Sequence, residues 1–75
     1  MPYIKAERRG LDPETAGELN YLFTEAILNY VKKRGVSYQT FNDCLGALEG
    51  CKLELYRRSI SLYEDGKIKE HGDVY

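Results

Sequence analysis

The 75-residue chain has no tryptophan, one histidine and two cysteines. Two cysteines are too few for a disulfide framework, and one histidine cannot build a histidine-rich metal site. With 11 basic and 12 acidic residues the formal net charge is -1, so no overall field attracts nucleic acid or a membrane. No apolar run approaches the roughly 20 residues of a membrane span, and none resembles a signal peptide. These absences predict a soluble, cytoplasmic protein without a resident cofactor or metal.

The composition that remains is typical of a folded chain. Hydrophobic residues make up 43% and charged residues 31%, with seven tyrosines among them. A chain of this size hides only about 60% of the surface that it exposes when unfolded. Small domains therefore usually need a disulfide, a metal or a partner chain. Cys44 and Cys51, seven apart on one predicted helix, lie too far apart to bridge and are expected to be buried, reduced thiols.

Apolar spacing predicts an all-α fold in a single domain. Residues 1–11 lack a helical period and are expected to form an extended arm with a basic turn. A first helix is predicted over residues 12–34, because its apolar residues fall on one stripe and Gly35 suits the position after its end. Two starts compete: Asp12 followed by a proline, and the capping box Thr15-x-x-Glu18. Tyr21 and Leu28 fall off the stripe.

A second helix is predicted over residues 37–65, with Ser37 as its N-cap and Gly66 beyond its end. Residues 66–75 are expected to form a polar tail that Val74 and Tyr75 dock, although Ile68 and Lys69 could continue the helix. The short connection between the two helices predicts an antiparallel helical hairpin. The main apolar stripe of the second helix contains Phe41, Cys44, Leu48, Cys51, Leu55 and Leu62. A further stripe contains Leu53, Tyr56, Ile60 and Tyr63.

The two helices carry more apolar surface than a single hairpin can cover. Burial of a leucine or isoleucine side chain is worth about 1.5–3 kcal/mol, so exposure of half a dozen would consume most of a small domain's stability. A helical-bundle homo-oligomer would cover the second stripe. The alternative is that the arm, through Tyr3, Ile4 and Leu11, and the tail fold back over that stripe.

One constellation has the chemistry of a ligand site. Arginine forks match phosphate geometry, and tyrosine rings offer flat faces for a base. The residues are Lys52, Tyr56, Arg57, Arg58 and Tyr63. Between the subunits of an oligomer they would suit a small anionic, nucleotide-like ligand, with Tyr56 and Tyr63 on one face. The alternative is that nearby glutamates pair with these cations and that the tyrosines are interface packing.

Other functions find less support in the sequence. It has no Walker loop, nucleophile elbow, zinc motif or helix-turn-helix signature, so we do not expect an enzyme, and nucleic-acid binding is disfavoured. An all-helical nucleotide pyrophosphohydrolase would need Glu-x-x-Glu magnesium pairs on neighbouring helices. The acids that could serve, Glu18 with Glu25 and Glu49 with Glu54, have other spacings.

Several segments together resemble an uncharacterised family of small proteins from phage and prokaryotic genomes. They are the opening Met1-Pro2-Tyr3-Ile4-Lys5, residues 17–21 (GELNY), residues 53–58 (LELYRR), residues 63–65 (YED) and the closing residues 72–75 (GDVY). The resemblance implies a phage or prokaryotic cytoplasmic setting and no particular activity. By analogy, small oligomeric phage proteins with pockets lined by arginine and tyrosine sequester nucleotide messengers of host defence. The function expected is therefore sequestration of such a messenger, and the alternative is a protein-interaction or assembly module.

Overall fold

The computed structural model describes residues 4–10 and 12–75 and is helical, with no strand in those residues. A 3₁₀ turn, Ala6–Arg8, precedes helix α1, Ala16–Arg34, and helix α2, Tyr38–Leu55. A π turn, Tyr56–Ile60, joins α2 directly to helix α3, Ser61–His71. The chain divides into two compact units, Met1–Cys44 and Leu45–Tyr75. The predicted all-α class is confirmed. No helix of the described part is long and apolar enough to cross a membrane.

The start of α1 is decided by Thr15. Its side-chain Oγ1 accepts a hydrogen bond of 3.1 Å from the Glu18 backbone N–H, as an N-cap does. The predicted start at Asp12 is therefore wrong, and the competing capping box supplies the cap. The Glu18 carboxylate turns back to accept from the Glu14 backbone N–H at 3.1 Å. That bond satisfies one more backbone donor ahead of the helix.

An arginine of the arm completes this N-terminal cluster. Arg8 donates to both carboxylate oxygens of Glu18, from Nε at 3.1 Å and from Nη2 at 2.7 Å, and its Nη2 also donates to the Asp12 carbonyl at 3.1 Å. The Arg8 hydrogen bonds lower the pKa of Glu18, and the backbone bond from Glu14 adds to the effect. Nearby, Arg9 lies 5.6 Å from the centre of the Tyr21 ring. The arm therefore contacts Tyr21, one of the two apolar residues that fall off the main stripe of the first helix.

The turn between α1 and α2 forms as predicted. Gly35 has a φ of 90°, and its N–H donates to the Val31 carbonyl at 2.7 Å. Ser37 caps α2, because its Oγ accepts from the Thr40 N–H at 3.0 Å. Within the unit Met1–Cys44, the Tyr30 hydroxyl donates to the Asp43 carboxylate at 2.9 Å and connects the two helices. Tyr3 and Leu11, part of the predicted arm contact, lie outside the described residues.

The helix predicted to end at residue 65 continues to His71. Gly66 lies inside α3, and Gly72, with a φ of 88°, is the glycine that ends the helix. Lys67 and Glu70 form an ion pair of 3.7 Å in its last turns, which supports this extra length. The tail after Gly72 does not dock as expected, because Val74 is 97% exposed and Tyr75 is fully exposed.

Very little of the described chain is buried. Only three described residues fall below a tenth of their possible exposure: Glu18, Thr40 and Cys44. Both cysteines are free, as expected, but Cys51 is exposed, so its predicted burial is wrong. Many large apolar side chains remain in contact with solvent, and they include Leu19, Phe23, Leu28, Phe41, Leu45, Leu53, Leu55, Leu62 and Tyr63.

Candidate functional site

The five predicted ligand residues all lie in the unit Leu45–Tyr75, along one continuous helical stretch. Lys52 belongs to α2, and Tyr63 belongs to α3. Tyr56, Arg57 and Arg58 open the π turn between them. The π turn therefore lies in the segment that was predicted to bind a ligand.

The π turn is a widened turn with its own hydrogen bonds. The Ser61 N–H donates to the Tyr56 carbonyl, five residues back, in place of the usual four. The Ser61 side chain donates to the Arg57 carbonyl at 2.9 Å, so a carbonyl within the widened turn has a partner. Such turns contain about one extra residue and occur frequently at functional sites.

The extra residue changes which side chains share a face. Eight residues separate Tyr56 from Glu64, which in a regular helix would place them about 80° apart. In the structure the Tyr56 hydroxyl donates to the Glu64 carboxylate at 3.2 Å. The negative charge of Glu64, followed by this hydrogen bond, raises the pKa of Tyr56. Tyr63 instead lies beside Lys67, whose Nζ is 5.6 Å from the ring centre. The two tyrosines predicted to share a face thus have different neighbours.

The three predicted cations are exposed and paired with glutamates of their own helix. Arg58 Nε lies 2.9 Å from Glu54 Oε1, and Arg57 Nη1 lies 3.9 Å from the other oxygen of the same carboxylate. Lys52 Nζ lies 3.6 Å from Glu49 Oε1. These are the ion pairs that the sequence analysis kept as the alternative. Exposed pairs of this kind contribute only about 0.2–1 kcal/mol each, so an incoming anion could displace them at little cost.

A groove of about 430 Å³ lies at the other end of this unit, between α3 and the tail. On α3 it is lined by Tyr63, Lys67 and His71, and on the other side by residues 72–75. Of the predicted ligand residues, only Tyr63 lines it. The five predicted residues therefore do not form one enclosed pocket within the described part of a single chain.

The acids considered as magnesium ligands either pair with arginines or do not cluster. Glu18 is held by Arg8, and Glu54 is shared by two arginines. Among residues 4–10 and 12–75, no group of three histidine, cysteine or acidic side chains could hold a metal ion.

Comparison with known proteins places the chain in a family. Residues 1–74 match the family described as "Domain of unknown function (DUF6899)". The chain belongs to the DUF6899 family. No curated protein matches it, and no solved structure does.

Two features of this DUF6899 chain could not be read from its sequence. The two apolar stripes that compete near the π turn are the trace that a register change produces, but helical periodicity does not mark the residue at which the helix widens. The partner of Glu18 was also missed, because Arg8 lies ten residues away on an arm without periodicity.

Proposed function

We propose that this chain is a non-enzymatic assembly module: a helical hairpin that joins further copies of itself through exposed apolar faces. One observation carries the proposal. In the unit Leu45–Tyr75 large apolar side chains of the helix remain exposed, among them Leu45 at 66%, Leu53 at 57%, Leu55 at 56%, Leu62 at 66% and Tyr63 at 67%.

An apolar surface of this extent is typical of an interface. Obligate homodimers bury about 2,000–5,000 Å² in total, and their interfaces are rich in apolar side chains. Monomers rarely expose contiguous apolar patches larger than a few hundred Å². A second copy would cover these side chains without a disulfide, a metal or another protein.

Leu45 provides the most direct test. It is 66% exposed and shares a face of the helix with Leu48 and Lys52, three and seven residues further on. A Leu45→Glu substitution removes little packing within the chain but places a carboxylate in the interface. The loss of about 1.5–3 kcal/mol for each buried leucine occurs twice in a dimer.

Gly50→Glu is the matched control. It adds the same charge to the same helix about 140° around the axis, and beyond the helix's own backbone nothing lies within 4 Å of a Cβ at this position. Sedimentation equilibrium at micromolar chain concentration should give a multiple of 8.7 kDa for the natural chain and for Gly50→Glu, and a monomer for Leu45→Glu. A monomeric natural chain would overturn the proposal, and so would an unchanged mass for Leu45→Glu.

A second candidate function is the binding of a small anionic ligand, such as a nucleotide-type defence messenger, between copies. The π turn favours it, because the turn contains Tyr56, Arg57 and Arg58, and both guanidinium groups are exposed there. Lys52 and Tyr63 would complete such a site only in an assembly. A panel of cyclic and linear nucleotides should then raise the melting temperature, by an amount that Arg57→Ala and Arg58→Ala abolish. If no nucleotide of the panel raises the melting temperature, this candidate function is excluded and the assembly proposal is unaffected.

A further inference from the structure

One face of the helix in the unit Leu45–Tyr75 repeats a pair of charges. Glu49 and Lys52 form an ion pair three residues apart. Glu64 and Lys67 repeat the same acid–base order fifteen residues further on. Tyr56 shows that both pairs share this face: it lies four residues after Lys52, on the same side of the helix, and its hydroxyl donates to Glu64 at 3.2 Å.

The positions of these charges are symmetric about Arg58, and the signs at matching positions are opposite. Lys52 and Glu64 each lie six residues from Arg58, and Glu49 and Lys67 each lie nine residues from it. At 1.5 Å of rise per residue, these are offsets of about 9 Å and about 13 Å to either side. A two-fold axis at the level of Arg58 would therefore place Glu49 of one copy opposite Lys67 of the other, and Glu64 opposite Lys52.

We propose that a second copy of this chain packs antiparallel on this face, with the π turn at the centre of the contact. The inference rests on the assembly proposed above and adds its orientation. Lys52 then faces Glu64 of the second copy, and Glu49 faces its Lys67. In a parallel arrangement each charged residue would face the same residue of the second copy. Like charges that face each other across an interface are unfavourable.

Apolar side chains follow the same symmetry. Leu48 is 38% exposed and Ile68 is 41% exposed, and they lie ten residues before and after Arg58. Antiparallel packing brings Leu48 of each copy against Ile68 of the other. Each contact then occurs twice, as an isologous two-fold interface requires.

Charge reversal tests the orientation. Lys52→Glu should raise the dissociation constant of the assembly about tenfold, because two attractive contacts become repulsive. Adding Glu64→Lys to the same chain should return the dissociation constant to within about threefold of the natural value. Within one chain Lys52 and Glu64 are about 18 Å apart along the helix axis, so such a rescue comes from contact between copies.

The matched control pairs Lys52→Glu with Asp65→Lys. It has the same net charge, but Asp65 lies about 100° around the helix from Glu64, so it should not rescue. Dissociation constants come from sedimentation equilibrium at low salt, and circular dichroism checks that each variant remains helical. A natural chain that stays monomeric overturns both proposals. An assembly that Glu64→Lys fails to rescue, or that Asp65→Lys rescues equally, overturns the antiparallel orientation alone.

Discussion

Removal of the Thr15 side-chain oxygen should destabilise the protein measurably. Thr15 Oγ1 accepts the Glu18 backbone N–H at 3.1 Å and so satisfies one of the donors that the first turn of α1 leaves free. The substitution Thr15→Ala should cost about 1 kcal/mol. For a chain of 60–100 residues this corresponds to a fall in melting temperature of about 4–8 °C. Far-UV circular dichroism at one fixed chain concentration measures it, because assembly would make the melting temperature depend on concentration.

Two controls make the outcome decisive. Thr24→Ala is the same substitution in the same helix, where Thr24 Oγ1 donates to the Asn20 carbonyl at 3.0 Å on the exposed surface, and we expect a change within about 0.5 kcal/mol. Asp12→Ala removes the cap that the sequence also allowed and should have little effect. If Asp12→Ala destabilises the protein and Thr15→Ala does not, α1 begins at the earlier site and the reasoning fails.

Three further predictions concern acid stability, thiols and glycines. The pKa of Glu18 is lowered in the folded chain. The contribution of Glu18 to the free energy of unfolding is therefore complete above its unfolded pKa and is lost as the pH falls through its folded pKa. In Glu18→Gln the free energy of unfolding should depend less on pH in that range. Cys51 is exposed and Cys44 is buried, so a thiol reagent should modify Cys51 first, and equal rates would contradict the structure. Gly66→Ala should raise stability by about 1 kcal/mol, since Gly66 lies inside a helix with open space around it. Gly72→Ala should lower it, because the φ of Gly72 is 88°, and thermal melts distinguish the two.

Local sequence signals predicted local structure well in this chain. Thr15, Gly35 and Ser37 act at the helix ends where cap chemistry placed them, because a cap depends on residues within one turn. The end of the last helix was missed because Gly66 and Gly72 present the same local signal. Which of the two glycines ends the helix depends on whether the residues between them form a further helical turn.

The candidate ligand site was less predictable, since it depends on register over many residues. Spacing alone put Tyr56 and Tyr63 on one face, but the extra residue of the π turn gives Tyr56 the carboxylate of Glu64 as its neighbour. Nothing in periodicity marks where a helix widens. The proposed charge symmetry could not be seen from spacing either, because it requires Glu64 to share the face of Lys52.

Deletion of Ser59 tests this dependence on register. A π turn arises from about one extra residue in an α-helix, so loss of Ser59 should return the segment to regular α geometry. Tyr56 and Glu64 would then be seven residues apart along the chain and would still share a face. We expect the shortened protein to stay helical, to melt no lower than the natural chain and to assemble as before.

Deletion of Gly50 is the contrasting case. It also removes a residue from the helix, without loss of a side chain, but it does so in a regular turn, where every later residue then rotates by about 100° relative to Leu45 and Glu49. This deletion should break the Lys52–Glu49 ion pair and weaken assembly. Circular dichroism and sedimentation equilibrium on the two deletions would contradict the argument if loss of Ser59 disrupted assembly as much as loss of Gly50. In that case the interface would not depend on the alignment of side chains that the π turn produces.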